Sequence, residues 1–192
     1  MQRQEIWLLW QKKNKMTQKN HVTVRMAEPE DAVRLAEIYK PYVENTAVSY
    51  EMTAPDAGEF ERRIQQTKRH FPYLAAEVDG RIVGYAYAHP YGERAGYRLT
   101  AEPSIYVDRE CRRSGIGRLL YEELERLLKE KGIHSMVAVV AAPETDDDPY
   151  LTRDSQKFHE RMGFVKVGEL HQCGRKFDRW YNIMHMEKLI DR

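Results

Sequence analysis

Long apolar runs are missing from this chain of 192 residues. No stretch approaches the roughly eighteen consecutive apolar residues that a membrane-crossing helix needs. The run Ile6-Trp-Leu-Leu-Trp10 is too short for a signal-peptide core, and lysines follow it. Net charge is missing as well: 31 basic residues stand against 30 acidic ones and leave +1. No long basic stripe appears, which argues against nucleic acid as the main partner. Charges interleaved in this way make a solvated surface. Cysteine is scarce, with only Cys111 and Cys173. A disulfide framework is therefore excluded, and a reducing, cytoplasmic setting is expected. There are no internal repeats, no low-complexity tracts and no linker-like stretch after residue 20. A single domain is expected over 21–192, behind a polar, lysine-rich, flexible extension at 1–20. No membrane contact is expected.

The periodicities alternate between strand and helix. Val22–Met26 reads as a strand. Glu28-Pro-Glu-Asp opens a helix whose apolar stripe is Ala32, Leu35, Ala36 and Tyr39, and Pro41 is expected to bend or end it. Asp56 and Glu59 stand at capping-box spacing for another helix. Asp79-Gly80 between Tyr73–Val78 and Arg81–Ala88 is a hairpin signal, and Gly84 inside the second strand suggests a bulge or a close backbone approach. Leu99–Val107 is a central strand. Residues 115–131 form an amphipathic helix ended by Gly132. His134–Ala142 is a buried-type strand. The acidic stretch Pro143–Pro149 lacks the spaced ligands of a calcium loop, so no metal is expected. A helix over Arg153–Met162 and strands at Phe164–Leu170 and Arg179–Lys188 complete the chain.

The most informative stretch is Glu102-Pro-Ser-Ile-Tyr-Val-Asp-Arg-Glu-Cys-Arg112-Arg-Ser-Gly115-Ile-Gly117-Arg118. A strand feeds a basic, glycine-containing loop at a helix N-terminus. Unpaired backbone N–H groups and the helix dipole make such a place an anion site. The loop is neither a nucleoside-triphosphate P-loop nor a dinucleotide fingerprint. Arg112 and Arg113 add charge, and Glu102 on the incoming strand is a candidate base or an edge-of-strand surface glutamate. Cys111 has no matching base nearby in sequence and reads as a spectator thiol.

The spacing Arg112-x-x-Gly115-x-Gly117 resembles the acetyl-CoA pyrophosphate loop of the GNAT superfamily of N-acetyltransferases. Arg94-Ala-Gly-Tyr97-Arg98-Leu-Thr-Ala-Glu102-Pro-Ser-Ile-Tyr-Val resembles the phosphinothricin-acetyltransferase-like branch. So do Ile38–Thr46, Gly84–Pro90 and Ser155-Gln-Lys-Phe-His159-Glu-Arg-Met-Gly163-Phe164. The resemblance runs from about Val22 to Leu189.

The resemblance implies an α/β (mixed α+β) GNAT fold: a mostly antiparallel seven-stranded sheet, splayed at the centre and flanked by about four helices. It implies acetyl transfer from acetyl-CoA to a small-molecule amine, an amino acid or analogue such as phosphinothricin or methionine sulfone, by direct attack in a ternary complex. Aminoglycosides, polyamines, a protein N-terminus, or mere acetyl-CoA binding without turnover stay open as alternatives. Glu102 falls on the family's general base. The oxyanion contact and pantetheine arm fall on Ile105, Tyr106 and Val107. The pyrophosphate falls on Arg112, Arg113, Ser114, Gly115, Ile116, Gly117 and Arg118, and Ser155 falls beside the arm. His159 occupies the family's acid position, with a packing role equally open. Tyr50, Arg94, Tyr97 and Arg98 are acceptor candidates, with fold support as their alternative; Lys176 and Trp180 could line the far side. Thr152 stands where relatives carry asparagine. A homodimer is implied by the resemblance alone.

Overall fold

A computed structural model describes residues 22–190. The expectation for residues 1–20 lies outside the described residues.

Seven strands form one sheet: β1 (Val22–Met26), β2 (Tyr73–Val78), β3 (Arg81–Pro90), β4 (Thr100–Val107), β5 (Ser135–Ala142), β6 (Val165–Lys176) and β7 (Arg179–Leu189). Their order is β1-β2-β3-β4-β5-β7-β6, antiparallel except between β4 and β5. Four helices flank it: α1 (Ala32–Asn45), α2 (Ala57–Lys68), α3 (Ile116–Glu130) and α4 (Asp154–Arg161).

Strand parity explains the layers. On β2, Leu74 and Ala76 join a core under α3 with Leu120, Leu124 and Leu128, while Tyr73 and Ala75 join a second core under α1 and α2 with Leu35, Tyr39, Phe60 and Ile64. The sheet is therefore covered on both faces. The second face is aromatic: Tyr73, Tyr85 and Tyr87 stack, and Tyr106 packs edge-on to Tyr39 and Tyr42.

Local sequence accounts for most boundaries. Asp79 (φ 51°) and Gly80 (φ 80°) make the tight turn of the β2–β3 hairpin. Asp56 caps α2 by accepting from the Glu59 N–H at 2.8 Å. At Gly84 the register shifts, and a Cβ there would meet Ile116 and Leu120 side chains at 3.3 Å, so both the bulge and the close approach are present.

Two boundaries differ from expectation. Helix α1 runs through Pro41 to Asn45. Proline removes one backbone bond at a cost of about 3 kcal/mol. The apolar stripe continues past it, however, and burying Tyr42 and Val43 returns about 2 kcal/mol each. Strand β6 extends beyond Leu170 to Lys176, because a bulge at Leu170/Gly174 carries it past Gln172 (φ 48°) to a tight turn at Phe177-Asp178, both with positive φ.

The acidic stretch 143–149 is anchored. Asp148 accepts from the N–H groups of Tyr150 and Leu151, both at 2.9 Å, and from the Tyr181 hydroxyl at 3.3 Å. Asp148→Ala strips the partners from two backbone donors at once. It is expected to cost about 2–4 kcal/mol, read as a lower midpoint in urea unfolding.

Candidate active site

Strands β4 and β5 pair at only two positions, Thr100 with Ser135 and Ala101 with Met136. Beyond them the strands part. The Asp108 N–H donates to Val83 O and the Tyr91 N–H to Thr100 O, so even-numbered residues of β4 turn their backbone toward β3. The backbones of Pro103, Ile105 and Val107 therefore face the opening. Pro103 has no N–H, and the Val107 carbonyl accepts from the Tyr42 hydroxyl at 2.5 Å. What remains on that edge is the carbonyl of Pro103, the N–H and carbonyl of Ile105, and the N–H of Val107. The backbone of Tyr106 is turned to β3; its ring forms part of the aromatic layer.

The opening is a narrow cleft of about 60 Å³ lined by Ser104, Ile105, Tyr106, Val139, Ser155 and His159 among others. A larger depression of about 780 Å³ lies on the outer side of α3 and α4. It does not reach the open edge of β4. Ion pairs such as Arg118–Glu122 and Lys188–Glu125 occupy it, so the chemistry belongs to the smaller cleft.

At one mouth of the cleft stands the loop 112–118. Arg113 (φ 61°) and Gly115 (φ 88°) are left-handed, which turns successive N–H groups to one side. The first intrahelical bond of α3 is from Leu119 N–H to Gly115 O, so the N–H groups of Ile116, Gly117 and Arg118 precede the helical ladder. Ser114 donates to Cys111 O at 2.5 Å and braces the turn. Arg112 lies over the Tyr42 ring, and Arg113, Ser114 and Arg118 are exposed. A Cβ on Gly117 would meet the Phe158 ring at 3.2 Å, which fixes glycine in this first turn. Burial and neighbouring Asp108 push the Cys111 thiol up, away from nucleophile behaviour. These features fit the pyrophosphate and pantetheine of acetyl-CoA: donors for an anion at the helix start, then an open strand edge for a chain of amides.

On the opposite, aromatic face stands Glu102. Burial pushes its carboxyl up, while His89 and His185 pull it down. His89 is its cross-strand partner on β3, with Nε2 3.6 Å from Glu102 Oε1. Tyr39 donates to Glu51 at 3.2 Å and Arg63 to the same carboxylate at 2.8 Å. Sequence reading did not single out His89, His185, Glu51 or Arg63. The signal for His89 was present: Tyr85, Tyr87 and His89 at spacing two share one face of a strand.

His159 is buried, and burial pulls it down to about 4. Its Nδ1 lies 2.8 Å from Ser155 O and its Nε2 2.8 Å from the Tyr121 hydroxyl. The ring is therefore neutral near pH 7, donating to the carbonyl and accepting from the phenol. The unfolded chain takes up a proton near 6.5, whereas the folded ring resists until about 4. Stability is thus expected to fall as pH drops across that window, by up to about 3 kcal/mol. Urea midpoints between pH 7.5 and 4.5 measure this, and His159→Gln flattens the slope.

Arg94, Tyr97 and Arg98 lie exposed on the turn joining β3 to β4, at the end of the sheet where Glu102 stands. Tyr50 is half-buried over Gly174, and its hydroxyl is buried without a hydrogen bond among the described residues. Lys176 is instead a strap, donating to Ser49 O at 2.6 Å. Trp180 is half-exposed beneath Arg175. Thr152 accepts from the Asp154 N–H at 3.3 Å at the start of α4.

A sheet opened between two parallel strands, with an anion-binding helix start at one mouth, defines an acyl-CoA-dependent acyltransferase. Residues 24–185 match the family described as the acetyltransferase (GNAT) domain. The chain belongs to that family and is an acetyl-CoA-dependent N-acetyltransferase. It is 33% identical over 170 residues to phosphinothricin N-acetyltransferase of Alcaligenes faecalis, covering 88% of this chain and 83% of that one. The phosphinothricin acetyltransferase of Sinorhizobium meliloti, solved with acetyl-CoA, superposes with a TM-score of 0.79 at 32% identity, covering 88% of each chain. The ribosomal-protein-alanine N-acetyltransferase of Brucella melitensis superposes with a TM-score of 0.80 at 33% identity, covering 87% of this chain and 99% of that one.

Proposed function

We propose that this enzyme acetylates the primary amine of a small amino acid or amino-acid analogue, phosphinothricin-like or methionine-sulfone-like. The observation that carries the reading is Glu102, half-buried on the aromatic face of β4 and adjacent in the chain to Pro103 and Ser104, which line the cleft. There it takes the ammonium proton, directly or through water, so that the neutral amine attacks the thioester carbonyl. The N–H of Ile105 or Val107 meets the oxygen as charge builds. The carbonyl–sulfur bond breaks, and the thiolate leaves with a proton. The Tyr121–His159 pair lining the cleft supports a donor role at that step, although both ring nitrogens of His159 are engaged. Arg94 and Arg98 offer bidentate contacts to an acidic group of the acceptor, and Tyr50 offers an unsatisfied hydroxyl.

The Brucella relative supports a second reading, a peptide N-terminus ending in alanine. Thiol release from acetyl-CoA separates the two, using phosphinothricin, methionine sulfone, free amino acids, an alanine-terminated peptide, polyamines and aminoglycosides. Turnover on an amphoteric small amine supports the first reading. Turnover on the peptide alone overturns it. We also propose a homodimer and a cytoplasmic setting. The exposed Val165, Val167 and Leu170 on edge strand β6 support the former, and the two free thiols the latter. Sedimentation velocity reads the oligomeric state.

A further inference from the structure

Two histidines bracket the carboxylate of Glu102, and neither is needed by the fold as a charge. His89 sits directly opposite Glu102 across the β3–β4 ladder, at a hydrogen-bonded pair of positions. Its Nε2 is 3.6 Å from Glu102 Oε1, and its Nδ1 is 3.1 Å from Pro90 O. An Nδ1–H that donates to that carbonyl leaves the Nε2 lone pair aimed at the carboxyl group. The ring is also two-fifths exposed, with side-chain accessibility of 41% against 25% for Glu102. His89 thus joins a half-buried carboxylate to bulk water. His185 reaches the same face from β7, because its neighbours Met184 and Met186 point into the core under α3. Among the described residues, Tyr87, packed beside His89, also interacts electrostatically with Glu102.

We infer that His89 is a positioning and relay residue for Glu102: it holds the carboxylate in place and carries its proton to solvent. The inference rests on Glu102 acting as the base. In the step, an ammonium N–H bond breaks and a Glu102 O–H bond forms. That O–H then breaks as a His89 Nε2–H bond forms, and the imidazolium releases its proton to water. No oxidant or further reactant is involved. The separation of 3.6 Å is longer than a hydrogen bond, and an exposed ring closes it by a small rotation.

A relay has signatures that packing lacks. His89→Gln keeps polarity and size but cannot accept and release a proton. It removes the electrostatic interaction by which His89 pulls the Glu102 carboxyl down, so Glu102 holds its proton to higher pH. The acid limb of the kcat/KM profile is expected to move up by about one pH unit, the size a unit charge has at this distance in a water-like dielectric. At neutral pH, kcat falls about tenfold, and added imidazole restores part of it to the smaller His89→Ala, whose space is open to solvent. A loss of kcat with the wild-type limb position and no imidazole response overturns the relay, as does an unchanged kcat. Unchanged thermal unfolding of both variants is the check on folding, and His89→Asn stands in should one fail it. Glu102→Gln is measured beside them. If it retains full activity, the base reading fails. If it is inactive while His89→Gln matches wild type, only the relay fails.

Discussion

Glu102→Gln is expected to lower kcat by about 10²–10⁴-fold while acetyl-CoA still binds. The replacement preserves shape and one acceptor oxygen, but an amide cannot take a proton from an ammonium group. The effect is confined to turnover because of placement. Glu102 shares the aromatic face of β4 with Tyr106, whereas the anion-binding turn 112–118 leads into α3, which packs on the other face. The wild-type profile carries a further mark. Burial pushes the Glu102 carboxyl up and outweighs the two histidines, so its proton is lost above the usual carboxylate range. A base works only when deprotonated; kcat/KM therefore falls as pH drops through that value, and the variant loses this limb. Steady-state thiol release from pH 5 to 9, with acetyl-CoA binding by calorimetry, measures both effects.

Gly115→Val is expected to raise KM for acetyl-CoA about 10–100-fold and to leave kcat within a few-fold. Nothing lies within 4 Å of a Cβ built there, so space is no obstacle. The obstacle is φ +88°, which a β-branched residue avoids at a cost of about 1–2 kcal/mol. The turn relaxes by rotating Gly115, which re-aims the N–H groups of Ile116, Gly117 and Arg118. Losing two or more charge-assisted bonds to a phosphate, at about 1.5–3 kcal/mol each when intact, accounts for the factor even if part is recovered. Gly80→Ala is the comparison: it also sits at positive φ with open space around it, but in the β2–β3 turn. It should lower unfolding midpoints and leave KM untouched.

Local chemistry makes much of this molecule legible in its sequence. Asp79-Gly80 specifies one turn type, Asp56 can cap only the helix that follows it, and the leucine stripe of α3 admits one buried face. Legibility ended where register decides. Glu102 is visible as an acid on a strand, but His89 becomes its neighbour only through the β3–β4 pairing, and His185 only through β7 lying beyond β5. The reach of β6 was hidden for a related reason. Leu170–Gly174 has no strand alternation, because a bulge with Gln172 at φ 48° absorbs the extra residues. Pro41 does not end its helix, because local backbone preference lost to burial of Tyr42 and Val43. Asp148 showed only as one of an acidic stretch without calcium-loop spacing, and only the fold brings Tyr181 to it.

The seam between β4 and β5 is two residue pairs long, yet it joins a four-stranded half of the sheet to a three-stranded half. Few backbone hydrogen bonds therefore cross that line, and the core under α3 is what chiefly joins the two halves. On the proposed binding mode, acetyl-CoA lies in the gap as a removable strand and spans both halves with its amides. The ligand then acts as a splint as well as a reactant. Amide hydrogens of Ile105 and Val107 should exchange slowly only while it is bound, and the melting temperature should climb with its concentration. Transfer leaves the amides of the coenzyme intact, so the splint is lost only when the spent coenzyme departs.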